Sequence, residues 1–430
     1  MHQRILAAEL AQIPIGSEVT LAGWIHRRRQ LSGVSFLVLR DRSGLAQIVA
    51  KAPHARAAIG TLGEESVVQV RGRLAANDAA PGGLEVIEPR IEPPTEPSLT
   101  PPVELWRPAQ SEGLPTRLDH AAAALRHPRS RARWQLAAAS LHGFRSSLDS
   151  EGFTEVSTPK VVGMATESGA NVFQLDYFGR PAYLAQSPQL YKQMLVGVFE
   201  RVFEVGPVFR AEPHDTVRHL AQYTSLDVEF GFIESHRDVI AMFRTVLAGM
   251  LSSVRERAAD AVELLGVDVP QVPEALPVIH FREALRLVGA APDEPDLEPA
   301  HERALGVWAK ETHGSDFLVV EGYPMAKRPF YTHPQPDDPR WSNSFDVLFR
   351  GLELSTGGQR LHRPADYRAA LATSGQSAEE FSAYLEAFDH GMPPHGGFAI
   401  GLERWVARLT GAANVREVTL FPRDLHRLAP

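Results

Sequence analysis

Between Gly16 and Glu92 the apolar residues fall in five short alternating runs: Val19–Trp24, Val34–Arg40, Ala46–Val49, Val67–Leu74 and Leu84–Ile91. Five short strands separated by turn residues point to a small barrel. Directly after them, Pro93-Pro94-Thr95 through Pro101-Pro102 is proline-dense and stiff, a linker and not a core element. The sequence therefore divides into a barrel domain over 1–100, a polar, arginine-rich hinge over 101–130 and a larger domain over 131–430.

A chain of 430 residues with 44% hydrophobic and 22% charged residues has the composition of a soluble globular protein of two or three domains. It contains no cysteine, which excludes disulfides, thiolate nucleophiles and cysteine-ligated metals, so any catalytic metal must sit on oxygen or histidine. A net charge of −8 argues against wholesale coating of nucleic acid, but Arg27-Arg28-Arg29 form a local basic cluster that keeps a structured RNA open as partner. Met1-His2-Gln3-Arg4-Ile5-Leu6 runs into polar residues before any core of signal-peptide length, and no later segment approaches about eighteen uninterrupted apolar residues. The expectation is a cytoplasmic protein with no membrane partner.

In the larger domain, Ala132 to Glu151 has helical apolar spacing through Leu136, Leu141, Phe144 and Leu148. Strands are predicted at Phe153–Val156, Phe173–Gln186, Val202–Arg210, Thr224–Phe232, Pro329–His333, Phe345–Leu354 and Gly396–Ile400. Helices are predicted at 189–199, 236–265, 281–288, 300–311, 364–372, 378–388 and 402–409. This is an α+β pattern with a largely antiparallel sheet flanked by helices.

The chemistry is concentrated in a few segments. Val208-Phe209-Arg210-Ala211-Glu212 and the distant Gly401-Leu402-Glu403-Arg404 set two arginines in strand-like and glycine-led contexts, suited to clamp opposite ends of a nucleoside triphosphate. Asp346 and Glu353 flank a predicted turn at Gly351, and two carboxylates beside triphosphate oxygens can hold Mg²⁺. Ser355-Thr356-Gly357-Gly358-Gln359-Arg360 adds a glycine pair that lets backbone approach a ligand and an arginine placed to meet an anion.

The order of Thr158-Pro159 after a long helix, then Phe209-Arg210-Ala211-Glu212, then Gly401-Leu402-Glu403-Arg404 resembles the three signature motifs of class II aminoacyl-tRNA synthetases. The N-terminal barrel resembles the OB-fold anticodon domain of their aspartate, asparagine and lysine subgroup. Gln186-Ser187-Pro188-Gln189-Leu190-Tyr191-Lys192-Gln193 resembles the aspartyl form of the amino-acid-reading motif, whose lysine faces the substrate's side-chain carboxylate. Lys192 and Arg360 are then expected to form a two-cation clamp that an amide would leave uncompensated.

The resemblance further implies an acidic loop at Glu167 that closes over the substrate ammonium with Gln189 and Asp227. It assigns Arg210 to the α-phosphate, Glu212 to the adenine amino group, Tyr223 to one adenine face, and Arg404 to the other face and the γ-phosphate, beside Gly401. Arg218 and His219 are candidates for the triphosphate tail and the tRNA acceptor end, and Asp346, Glu353 and Thr356 for Mg²⁺. By the same resemblance Arg210 and Arg404 are expected to be the catalytic pair. Pro159 belongs to a motif that forms the two-fold interface in the family, so a homodimer is expected.

The interval from Glu229 to Asp346 is too short for the extra domain of bacterial-type aspartyl enzymes, and Leu420-Phe421-Pro422-Arg423-Asp424 resembles the archaeal-type ending. In the barrel, Phe36 is placed to stack on an anticodon base, with Gln47 and Arg29 as base-edge donors. His26 and Pro81 resemble enzymes that charge tRNA(Asn) as well as tRNA(Asp), whose Asp-tRNA(Asn) an amidotransferase then converts. The alternatives are a discriminating aspartyl enzyme, an asparaginyl enzyme, an asparagine synthetase on the same catalytic fold, and a catalytically dead RNA-binding paralogue.

Overall fold

Strict alternation of apolar and polar residues is realised as a barrel in the first of two units that divide the chain, residues 1–128 and 129–430. The computed structural model describes residues 4–164, 171–213 and 215–430. In unit one, β1 (Glu18–Gln30), β2 (Ser35–Arg40), β3 (Leu45–Ala50), β4 (Val67–Ala76) and β5 (Leu84–Glu92) close in the order β1-β2-β3-β5-β4. Leu21, Ile25, Leu37, Leu39, Ile48, Val68, Val70 and Val86 fill the interior. A helix not foreseen from the sequence, α1 (Pro53–Thr61), adds Ala55 and Ile59 to this core. The expected hinge also contains two short helices, Leu114–Asp119 and Ala121–Ala124, where the arginine-rich composition had pointed only to a linker.

The long helix α2 (Pro128–Ser150) begins at the last residue of unit one and otherwise lies in unit two, with Pro128 at its first turn, where a missing N–H costs nothing. Two very short strands and a hairpin follow: β6 (Thr154–Glu155), β7 (Val161–Val162), then β8 (Gln174–Tyr177) and β9 (Arg180–Leu184). The strand-rich segment expected over Phe173–Gln186 is a hairpin, turned by Phe178 and Gly179 at φ +52° and +80°. Beyond it come α3 (Gln189–Phe199), β10 (Arg201–Phe209), β11 (Gln222–Gly231), α4 (His236–Arg257), β12 (Val278–His280), α5 (Pro299–His313) and β13 (Phe317–Glu321). The last elements needed below are β14 (Ser344–Phe349), β15 (Glu353–Gln359), β16 (His395–Gly401) and α6 (Leu402–Thr410).

Three expectations are corrected here. The strand predicted at Pro329–His333 is irregular chain with one bridge, Thr332 to Arg360, because Pro329 and Pro334 have no N–H to donate to a ladder. Phe317–Glu321, unassigned from the sequence, is a fully buried strand whose continuous apolar run gives no alternation to read. The helix expected over 236–265 breaks at Ala258 into two.

Strand order β12-β13-β14-β15-β16-β11-β10-β6 makes an eight-stranded sheet, antiparallel except at its two outermost pairs. Its register places Asp346, Thr356, Ala399, Asp227 and Glu204 in one transverse row, on one face. The next row on that face is Ser344, Gly358, Gly397, Glu229 and Val202. The alternate residues Leu226, Val228, Phe345, Val347, Phe398 and Ile400 join the opposite-side core with Leu136 and Phe144 of α2 and Phe243 and Leu247 of α4. One face of the sheet is thus hydrophobic glue, and the other carries carboxylates.

Glycine at 397 is a spatial requirement. A Cβ there would fall inside contact distance of both the Val228 carbonyl oxygen and Glu229 Oε2. Gly397→Ala is expected to lower unfolding free energy by about 3 kcal/mol through overpacking, measured as a shift in the urea midpoint at unchanged slope.

Candidate active site

Ser225, Asp227 and Glu229 recur every second residue of β11 and so share one face. Opposite them, α3 starts just after Pro188, where Ser187 Oγ accepts the Gln189 N–H at 3.1 Å. From that start Gln189, Lys192 and Gln193 fall on one helical side and are buried. Lys192 Nζ meets Asp227 Oδ1 at 3.0 Å and Glu229 Oε2 at 3.3 Å. Arg360 Nε donates to Glu229 Oε1 at 2.9 Å, and its Nη2 to the Gly397 carbonyl at 3.1 Å. Burial would push the fully enclosed Glu229 carboxyl up, but Arg360 and Lys192 outweigh it and hold the group below its usual range.

The two cations expected from the sequence to clamp the substrate are both paired within the chain. Lys192 and Arg360 do converge, but Asp227 and Glu229 already balance their two positive charges. The sequence reasoning missed Glu229 as a site residue, although the polar period of Ser225, Asp227 and Glu229 along an otherwise apolar strand was a legible signal. Asp227, expected at the substrate ammonium, is paired with Lys192 and accepts the Ser225 hydroxyl at 2.5 Å.

Behind the charges lies a neutral network. Gln189 Nε2 donates to Gln193 Oε1 at 3.0 Å, and Gln193 Nε2 faces His395 Nε2 at 3.0 Å and the Tyr367 hydroxyl at 2.9 Å. His395 Nδ1 lies 3.0 Å from the Pro393 carbonyl, a contact that only an N–H can make favourably. Burial pushes the His395 imidazole down to about 4, so it is a neutral ring with Nε2 as acceptor.

A cavity of about 330 Å³ adjoins this cluster, lined among others by Arg210, Glu212, Arg218, His219, Tyr223 and Arg404. Arg210 follows β10, and its guanidinium carbon is 5.8 Å from the Tyr223 ring centroid. Glu212 pairs with Arg210 at 3.6 Å and approaches His219 at 3.8 Å. Across the cavity Gly401 ends β16 and caps α6, whose first turn is anchored by buried Glu403 accepting the Thr224 N–H at 3.0 Å. That anchor aims Arg404, which donates to the Glu353 carbonyl at 3.1 Å and lies 3.7 Å from its carboxylate. Cations at both ends and an aromatic face between them suit an elongated, aromatic, polyanionic ligand.

Asp346, Glu353 and Thr356 meet at the edge of this cavity. The Thr356 hydroxyl donates to Glu353 Oε1 at 3.2 Å and also reaches Asp346. Burial, with Glu353 adding to it, pushes the Asp346 carboxyl up to about 6, although Arg328 at 3.2 Å opposes the shift. Two crowded carboxylates and a hydroxyl are an all-oxygen set that a hard divalent cation fits. Among the described residues no group of three or more acidic or histidine side chains has metal-ligand geometry, so such a cation would draw its remaining ligands from water and phosphate.

The other predicted residues lie as follows. Glu167 falls outside the described residues. Pro159 is exposed between Thr158 and Lys160, both of which bind the buried Glu204 carboxylate at 2.7 Å. In the barrel unit, Arg29 pairs across the strands with Phe36, and Gln47 Nε2 donates to Glu85 at 3.0 Å. Glu85 also accepts from Asn77, which anchors the turn carrying exposed Pro81. His26 is the exception: it sits at a β-bulge of β1 with 7% of its surface exposed, so it shapes this face from within and is not displayed on it.

Comparison with known proteins fits both units. The family of tRNA synthetases class II (D, K and N) matches residues 113–425, and the OB-fold nucleic acid binding domain matches residues 19–94. The chain belongs to the class II aminoacyl-tRNA synthetases of this D, K and N group. It is 46% identical to the Aspartate–tRNA(Asp/Asn) ligase of Thermus thermophilus, over 99% of this chain and 100% of that protein. The enzyme of the same name from Deinococcus radiodurans is 45% identical, over 100% and 99%. Asparaginyl-tRNA synthetase of Pyrococcus horikoshii complexed with asparaginyl-adenylate superposes with a TM-score of 0.92 at 29% identity, covering both chains fully.

The neutral His395 has a pH signature. Its folded value lies below the ordinary 6.5, so the unfolded chain binds the extra proton, and stability present above about pH 6.5 is lost as pH falls towards 4. The loss over that window is on the order of 3 kcal/mol. His395→Gln should remove this loss from the stability–pH profile in urea titrations, while the opposite-signed contribution of Asp346, raised to about 6, and the carboxylate steps below pH 4 remain.

Proposed function

We propose that this protein is an aspartate–tRNA ligase that activates L-aspartate with ATP and charges both tRNA(Asp) and tRNA(Asn). The observation that carries the amino-acid choice is the buried Lys192–Asp227 pair at 3.0 Å beside Glu229 and Arg360. A substrate with an ammonium and a side-chain carboxylate can enter this cluster by exchange: its ammonium takes Asp227, with Gln189 and Glu167, and its carboxylate takes Lys192 and Arg360. Every charge keeps a partner. Asparagine brings the ammonium without the anion, so Asp227 would be drawn off and Lys192 left with Glu229 alone. Weakening a buried pair in this way costs several kcal/mol, about 3–5 when a partner is removed outright.

In the reaction, an α-carboxylate oxygen of aspartate bonds to the α-phosphorus, the bond to the bridging oxygen breaks, and pyrophosphate leaves with that electron pair. Arg210 holds the α-phosphate and Arg404 the γ-phosphate, so the chain contributes alignment and charge, with no covalent nucleophile. Tyr223 and Arg404 enclose the adenine, Glu212 accepts from its amino group, and Arg218 and His219 attend the triphosphate tail and the acceptor end. Asp346, Glu353 and Thr356 would hold Mg²⁺, which supplies further positive charge to the phosphates. The tRNA 3′-hydroxyl then displaces AMP from the aspartyl-adenylate.

Reading of both tRNAs rests on the likeness to two relatives named for Asp/Asn and on Pro81 in a turn beside Gln47. The working unit is a cytoplasmic homodimer through the Pro159 motif, and Asp-tRNA(Asn) passes to an amidotransferase. Sedimentation at micromolar concentration should give twice the chain mass of 47.2 kDa; a monomer would contradict the dimer.

ATP–pyrophosphate exchange should proceed with aspartate and not asparagine, and Asp227→Asn should raise the KM for aspartate at least tenfold. Transcripts of both tRNAs should be aspartylated at comparable concentrations. Exchange driven by asparagine alone would overturn the amino-acid assignment, and an uncharged tRNA(Asn) the dual specificity.

A further inference from the structure

Next to the nucleotide cavity lies a second one of about 370 Å³, and the two share Arg218 and Arg404 in their walls. The second cavity adds Arg303 from α5 and Arg408 from α6. Arg404 and Arg408 are four apart on α6 and so point the same way. Glu302 partners Arg218 at 3.7 Å and Glu353 partners Arg404 at 3.7 Å. Among the described residues Arg303 and Arg408 form no ion pair, so the cavity carries surplus positive charge. Arg408 is tied to the Phe349 and Arg350 carbonyls, with burial and the nearby Arg350 and Arg218 cations holding it below its ordinary range.

The remaining wall is small or aliphatic: Gly351, Leu352, Ala407, Gly411, Ala412 and Ala413. No aromatic side chain lines it, in contrast to Tyr223 in the neighbouring cavity. Guanidinium groups in such number, with no aromatic surface, match a compact polyanion and not a nucleoside.

We propose that this arginine-lined cavity is a pyrophosphate site, which receives the inorganic leaving group as it departs from the nucleotide cavity through the shared Arg218 and Arg404. The assignment rests on the adenylate-forming reading above. It gives the surplus cations a role in separating product from adenylate, since pyrophosphate drawn aside no longer competes for the α-phosphorus.

The test is aspartate-dependent ATP–pyrophosphate exchange with pyrophosphate as the varied substrate. Arg303 is exposed on its helix, and Ala413, also exposed, lines the same cavity, so Arg303→Glu and Ala413→Glu should fold. Each should raise the KM for pyrophosphate at least fivefold while leaving the KM values for ATP and aspartate within twofold, and Arg303→Lys should stay near wild type. An unchanged KM for pyrophosphate overturns the proposal. So does an equal rise for ATP, which would make the arginines part of the ATP site, or a change confined to the KM for tRNA, which would give the cavity to an acceptor-strand phosphate. Titration calorimetry of the wild-type chain with inorganic pyrophosphate alone separates this inference from the function it rests on. Binding that Arg303→Glu weakens at least fivefold supports the cavity even where exchange fails, and no difference between the two proteins sinks it.

Discussion

The Glu229 carboxylate, with none of its surface exposed, is the point on which the site turns. It receives Arg360 from the end of β15 and Lys192 from α3, two elements far apart in sequence. A carboxylate in such surroundings is tolerable only because both cations reach it, and each cation is tolerable only because it does. In the sheet row Gly397 lies directly beside it and Gly358 one strand further on, and the missing Cβ at 397 leaves the space that the Glu229 carboxylate occupies.

From this centre the architecture follows. The sheet needs its opposite face covered by α2 and α4, because Leu226, Val228, Phe398 and Ile400 are held there by the same alternation that turns Asp227 and Glu229 towards the site. The neutral network of Gln193, His395 and Tyr367 then fixes α3 and hence the lysine. At the other end, Glu403 ties α6 to β11, which directs Arg404 and Arg408 into two adjoining cavities. The buried charge cluster and the two cavities are thus neighbours, all reached from β11 and the elements packed beside it.

Much of this was legible beforehand. The barrel strands could be read because each keeps one face in the core and one in water. Phe317–Glu321 could not, because a strand buried on both faces shows no period, and Pro329–His333 misled because its apolar residues are not matched by backbone donors. The residues that line the first cavity were picked out through local motifs around Arg210 and Arg404. Glu229 was missed because its role depends on a lysine 37 positions upstream and an arginine 131 positions downstream.

By itself the sequence determined the two-domain α+β plan, the absence of thiol chemistry and the local motifs that carry Lys192, Arg210 and Arg404. Those are properties of periodicity and local motif, which a chain carries before it folds. Only the tertiary structure decided that Lys192 and Arg360 are already neutralised, that His26 lies inside the barrel wall and that a second arginine-lined cavity stands beside the first. Each of these depends on strand register and helix placement, which set distances between residues that no local pattern relates.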